Sequence, residues 1–126
     1  MQDFSFPKSE RLTNKKKFES LFSDAETVSA YPLRLIYILH DRDEHLPTFQ
    51  IAFTVPKRKV KKAVDRNFLK RRMREAYRLN KHSFIDHIDQ RQLSGYGIMI
   101  YTGQEKMTFH QIEKAWKKIE RKFVLK

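Results

Sequence analysis

Apolar residues recur along this chain at two different periods, and each change of period marks the edge of an element. Phe18, Leu21 and Phe22 fall at i, i+3 and i+4 behind Thr13, a residue suited to an N-cap, which predicts a short helix over about residues 14–23. After a polar connection, residues 33–39 (Leu-Arg-Leu-Ile-Tyr-Ile-Leu) are too apolar and too rich in β-formers for a loop, and predict a largely buried strand. A second polar connection leads to residues 48–55. There Phe49, Ile51, Phe53 and Val55 alternate with Thr48, Gln50, Ala52 and Thr54, as in a strand with one buried face, and Pro56 stops it. Over residues 63–79 the period lengthens to that of a helix, with Leu69, Met73, Ala76 and Tyr77 falling together.

The second half of the chain is less regular. Residues 80–94 are polar with scattered Phe84, Ile85, Ile88 and Leu93, room for a short helix whose ends the pattern does not set. Gly95-Tyr96-Gly97 leads into Ile98-Met99-Ile100-Tyr101, a short buried strand closed by Gly103. Thr108 and Gln111 match a capping box, and Ile112, Trp116, Ile119 and Phe123 recur behind them on one face of a last helix. Residues 1–12 carry Pro7 and no period; they are expected to form a loosely ordered tail, docked at most through Phe4 and Phe6.

The order helix, two or three strands, helix, strand, helix predicts a small α+β domain with helices packed on one sheet. The basic second helix lies between two strands, so it is expected to cross over between parallel neighbours, right-handed by the general rule. With 126 residues, the chain is a single domain over 1–126, because two halves would each bury too little surface. A hydrophobic fraction of 40%, including ten Phe, supports a folded core despite 33% charged residues.

Charge changes the picture from fold to partner. Lys and Arg number 27 against 15 Asp and Glu, a formal net charge of +12 that points to an acidic partner. Nucleic acid leads, since each neutralised phosphate releases condensed counterions. An anionic membrane competes, but it would need an apolar helix face open to lipid or a lipidation signal, and neither is visible. The absence of cysteine removes disulfides, thiolate nucleophiles and Cys-based zinc sites. No run approaches the ~18 apolar residues of a membrane span and the first residues lack a secretory pattern, so a cytoplasmic location is expected.

The charge is sorted on the second helix. At about 100° per residue, Arg66, Asn67, Lys70, Arg71, Arg74 and Arg78 share one arc of roughly 140°, with Leu69, Met73 and Ala76 outside it. Asp65 and Glu75 fall off that arc, so it holds no carboxylate to offset its own repulsion. Lys57, Arg58, Lys61 and Lys62 extend the charge upstream, and Asn67 offers an amide for oriented bonding to phosphate, ribose or base. The alternative is a solvated basic face with no specific partner.

These residues carry a resemblance. Residues 55–78 (Val-Pro-Lys-Arg-Lys-Val-Lys-Lys-Ala-Val-Asp-Arg-Asn-Phe-Leu-Lys-Arg-Arg-Met-Arg-Glu-Ala-Tyr-Arg) resemble the signature of the bacterial ribonuclease P protein component family. The match includes Ala63-Val64, the Arg66-Asn67 core, Lys70-Arg71, and the Arg74-Glu75-Ala76-Tyr77-Arg78 ending. It extends to the first helix, the strands after it and the last helix. One position departs: Phe68 stands where the family usually has Arg. The resemblance implies a protein subunit bound to ribonuclease P RNA, a large catalytic RNA that uses Mg²⁺ to remove the 5′ leader of precursor tRNA. It also implies a left-handed crossover around the basic helix, against the general rule. No obligate protein partner is evident.

The resemblance further implies a leader-binding cleft between the first helix and the sheet, lined by Phe18, Phe22 and either Ile36 or Tyr37, with Lys15, Lys16 and Lys17 beside it. Aromatic rings stack unpaired bases for ~1–3 kcal/mol each, with little regard to base identity. On the residues alone, Phe18 and Phe22 read sooner as core, and Ile36 and Tyr37 point to opposite faces, so only one can line the cleft.

Catalysis by the protein itself finds no support in the pattern. His40, His45, His82, His87 and His110 lack metal-ligand spacing. Asp41, Asp43 and Glu44 form a short acidic cluster of the kind that usually solubilises a loop, and Trp116 falls on the apolar stripe of the last helix. No catalytic residue and no metal ligand is assigned. The rivals are a structural RNA-binding protein of ribosomal type and, behind it, a self-contained nuclease.

Overall fold

The computed structural model describes residues 4–125 and contains every predicted helix and strand, with one strand more. The first helix, α1 (Lys15–Leu21), begins one residue later than Thr13 would place it. Asn14 is the N-cap, its side-chain oxygen accepting the Lys17 N–H at 3.1 Å. The additional strand is β1 (Glu26–Ala30), in what reads as a polar connection; only Val28 and Ala30 are buried, which suffices for an edge strand. β2 (Leu33–Asp41) and β3 (Phe49–Thr54) follow, then α2 (Ala63–Asn80), α3 (His82–Gln90), β4 (Leu93–Tyr101) and α4 (Phe109–Val124). The predicted capping box at α4 is formed in both directions, between Thr108 and Gln111.

The strands form one mixed sheet in the order β1-β2-β4-β3. β2 is antiparallel to both β1 and β4, whereas β3 is parallel to β4, so α2 and α3 make the expected crossover between parallel neighbours. Strand alternation divides the interior in two. Leu33, Leu35, Tyr37, Phe49, Ile51, Met99 and Tyr101 join Leu69, Met73, Tyr77, Phe84, Trp116 and Phe123 in the main core under α2, α3 and α4. On the other face, Tyr96 and Ile98 pack with Leu21 of α1 and Leu12 in a smaller cluster, with Ile36, Ile38, Ala52 and Ile100 at its margin.

Gly95 and Gly97 lie inside β4, not before it, and the reason is packing. A Cβ on Gly97 would stand 2.6 Å from the Ile36 carbonyl oxygen and 3.1 Å from the Phe49 ring. Gly97→Ala is expected to destabilise the fold by about 3 kcal/mol, the upper end for overpacking, because one obstacle is backbone; chemical denaturation measures it.

Residues 4–12, expected as a loose tail, are docked; residues 1–3 of that segment lie outside the described residues. Phe6 is buried edge-on against Phe53 and Tyr77, a 3-10 turn spans Lys8–Glu10, and the Leu12 N–H bonds the Ile51 carbonyl at 3.0 Å. Phe4 stays 42% exposed. The latch is Lys81, buried at the α2–α3 junction, whose ammonium donates to the Glu10 carboxylate at 2.7 Å and to the Ser5 carbonyl. Glu10→Ala removes the counter-charge of that ammonium and leaves it the Ser5 carbonyl, which is expected to cost roughly 2 kcal/mol, seen as a lower unfolding midpoint.

Candidate nucleic-acid interface

α2 begins without a side-chain cap, and Arg66 in its first turn reaches backwards: its guanidinium donates to the carbonyls of Val60 at 3.0 Å and Lys61 at 2.6 Å. With Val60 buried, this folds the basic run against the helix start and leaves Lys57, Arg58, Lys61 and Lys62 exposed. The other end of the arc is also tied in. Arg78 forms an ion pair with Glu75 at 2.7 Å and donates to the Phe4 carbonyl at 2.8 Å. Glu75, which helical spacing sets off the arc, therefore neutralises one end of it. Between these ends, Asn67 and Arg71 are exposed and Lys70 and Arg74 half-buried, and none of the four bonds a side chain or carbonyl among the described residues through its own side chain. Three uncompensated cations and an amide on one helix face form a surface suited to phosphate.

Phe68 lies away from this arc. Its ring is approached by the Arg72 guanidinium at 4.0 Å and the Lys106 ammonium at 4.7 Å. Arg72 also donates to the Met107 carbonyl at 3.1 Å and Lys106 pairs with Asp65 at 3.4 Å, so the aromatic residue ties α2 to the loop before α4.

The second surface forms between α1 and the sheet. Phe22 is 75% exposed and so is not core, while Phe18 and Ile36 are half-buried against the smaller cluster. Tyr37 is excluded from this cleft: it is 2% exposed in the main core on the opposite face, edge-on to Phe123 at 5.0 Å. Strand parity requires this, since Leu35 and Tyr37 must share a face. Lys15 and Lys16 are exposed at the N-terminal end of α1. Lys17 bonds Gln50 at 2.9 Å and lies over the Tyr96 ring at 5.3 Å. Tyr96 and Gln50 were not expected here. Their signal is parity with Ile98 and Ala52, readable for Tyr96 only once β4 is known to run through the glycines.

Among the described residues no cluster of three or more His, Asp or Glu is placed to hold a metal. Asp43 accepts the His45 N–H at 2.9 Å within its loop, His82 packs on Phe4, and His87 packs on Phe123. No described helix is long and apolar enough to cross a membrane.

A family model described as Ribonuclease P matches residues 6–124. The ribonuclease P protein component of Porphyromonas gingivalis is 34% identical over 116 residues, spanning 91% of this chain and 83% of the relative. That of Pseudoalteromonas translucida is 34% identical over 119 residues, spanning 94% and 80%. The fold is shared with the RNase P protein of Staphylococcus aureus (TM-score 0.68, 21% identity, 90% of this chain and 94% of the other). It is shared equally with that of Thermotoga maritima (TM-score 0.66, 19% identity, 89% and 96%). With nearly its whole length matched by the family model, and with relatives at this identity, the chain belongs to the ribonuclease P protein family.

Proposed function

We propose that this chain is the protein subunit of ribonuclease P, that the α2 arc binds the catalytic RNA, and that the cleft beside α1 holds the 5′ leader of precursor tRNA. The observation that carries this reading is the group Asn67, Lys70, Arg71 and Arg74, without a side-chain bond to any described residue and aligned on the helix that bears the family signature. In this reading the hydrolysis is the RNA's, with Mg²⁺ bound there polarising the phosphodiester and activating water. The residues of this chain contribute position: cations neutralise phosphate crowding, and the cleft keeps the leader extended near the scissile bond.

The test is reconstitution. Mixed with a bacterial ribonuclease P RNA and precursor tRNA at low Mg²⁺, the protein is expected to raise the rate of leader cleavage. Binding without any gain in cleavage would favour a structural RNA-binding role of ribosomal type, and cleavage without the RNA would point to a nuclease.

The exposed Phe22 supports a finer expectation. Phe22→Ala should leave the unfolding midpoint nearly unchanged, because so little of the ring is buried. It should weaken binding of leader-containing substrate by about fivefold or more, the loss of one stacked base, with mature tRNA unaffected. Equal loss for both RNAs would place the leader elsewhere.

A further inference from the structure

A second sorted basic face lies on α4. At about 100° per residue, Lys114, Lys117, Lys118, Arg121 and Lys122 occupy an arc of roughly 140°, and all five are exposed. The helix has two carboxylates, and both are turned away from that arc. Glu113 accepts the Asn80 amide at 2.9 Å on the α2 side. Glu120 is half-buried in a recess with Asn80, His82 and Ser83, where burial raises its carboxyl above the ordinary value against the pull of Lys117 and Arg121. Glu120 thus offsets Lys117 and Arg121 at one edge of the arc, as Glu75 offsets Arg78 on α2, and the Lys122 ammonium donates to the Ser29 carbonyl at 2.7 Å; Lys114 and Lys118 face no acid among the described residues.

Two features indicate what covers it. From Lys114 to Lys122 the cations advance by steps of roughly 4–6 Å along the axis when taken as successive i+3 and i+4 neighbours, close to the separation of consecutive phosphates in an extended strand. Beside Lys114 and Lys118 is a recess of about 330 Å³ lined also by Tyr31, Pro32, Met107 and Gln111. Tyr31, in the turn between β1 and β2, is 67% exposed. A tyrosine ring adjoining a row of lysines is the combination that binds an unpaired nucleotide, ring on base and ammonium on phosphate. An anionic lipid surface would require a broad apolar band beside the cations; the exposed apolar side chains here are Tyr31 near one end and Val124 and Leu125 at the other, which do not join into such a band.

We propose that the α4 arc and Tyr31 form a separate binding site for unpaired RNA, outside both the α2 arc and the α1 cleft. Leu79 of α2 lines the recess shared with Lys117 and Arg121 and also the groove shared with Arg71 and Phe68, so it stands between the two basic faces. An RNA segment on α4 is thus a distinct one, or a continuation that has passed over this ridge.

The test uses the full chain carrying Arg71→Gln and Arg74→Gln, which weaken the α2 arc, together with Phe22→Ala, which weakens the α1 cleft, and a fluorescent twelve-nucleotide oligouridylate as probe, titrated across a salt series. Adding Lys114→Gln with Lys118→Gln is expected to weaken binding at least about tenfold at low salt. It should also flatten the slope of log K against log salt by about 1.4, two contacts at about 0.7 each for a single strand. Adding Tyr31→Ser instead should weaken binding about fivefold or more with the slope unchanged, since stacking releases no counterions. The same variants are applied to phosphatidylglycerol vesicles. Oligonucleotide affinity unchanged by the lysine substitutions overturns the site. Lysine-dependent binding to vesicles alone reassigns it to a lipid surface, and full affinity of the Tyr31→Ser protein removes the base-stacking element. None of these measurements involves cleavage, so failure of the α4 site and failure of the ribonuclease P reading are separable.

Discussion

Replacing Arg71 and Arg74 together by Ala is expected to weaken binding to a bacterial ribonuclease P RNA by well over tenfold, with the fold intact. Neither guanidinium has a partner within the described protein, so their removal breaks no internal bond. A charge-assisted hydrogen bond contributes about 1.5–3 kcal/mol, and about 1.4 kcal/mol is a factor of ten, so the loss of two such bonds accounts for the effect. The slope of log K against log salt should fall by roughly one unit for each phosphate contact removed. Filter binding across a salt series, paired with thermal unfolding, measures both. Unchanged affinity with an unchanged midpoint would mean that the arc faces solvent. Arg66→Ala and Arg78→Ala provide the contrast. Each should lower stability as well as affinity, since Arg66 holds the Val60 and Lys61 carbonyls and Arg78 holds Phe4 and Glu75.

Trp116→Ala is expected to have the largest effect on stability, about 3–5 kcal/mol, against a total of about 5–15 kcal/mol for an ordinary domain. Trp116 is fully buried; its ring meets Tyr77 at 5.3 Å and Phe84 at 5.2 Å, and its Nε1–H donates to the Asn80 carbonyl at 3.1 Å. One side chain thus joins α4 to α2 and α3, and its removal leaves a cavity and an unbonded carbonyl at the end of α2. The urea midpoint should fall by about 2 M for a typical dependence on denaturant. Trp116→Phe, which retains a ring and loses the donor, should lie between the two. RNA affinity of whatever fraction remains folded should be unchanged at the α2 arc and the α1 cleft, since the buried Trp116 ring lines neither of them. A fall in affinity at full folding would show that α4 positions the α2 arc.

Much of this molecule could be read from periodicity. Phe49, Ile51 and Val55 alternate into the core as expected, Trp116 lies on the buried stripe of α4, and the Thr108–Gln111 box closes as its spacing predicts. Periodicity was least informative where burial is one-sided or where the backbone leaves no side chain. β1 buries only two residues and resembles a loop. Gly95 and Gly97 resemble a turn because a glycine in a strand carries no sign of the Phe49 ring it accommodates. The tail misled for a related reason: Phe6 and Glu10 lack a periodic setting, and their partners, Tyr77 and Lys81, lie some seventy positions away.

The functional surfaces divide in the same way. Charge sorting on α2 is a local property, because neighbours along a helix are fixed by its 3.6-residue turn; it pointed to an acidic partner, and residues 55–78 carried the resemblance to the family that the comparisons show. Which cations remain free is visible only in the structure. The pairing of Glu75 with Arg78 and the turn of Arg66 back to Val60 and Lys61 are local contacts, whereas the bond from Arg78 to the Phe4 carbonyl needs the docked tail; together they leave Lys70, Arg71 and Arg74. Strand parity limited the cleft to one of Ile36 and Tyr37, but which face α1 covers is a matter of packing, and it covers Ile36. The basic face of α4 shows the same boundary. Its cations are in the sequence for anyone to count, but their significance depends on Glu113 and Glu120 turning inward and on Tyr31 arriving beside them from the other end of the chain.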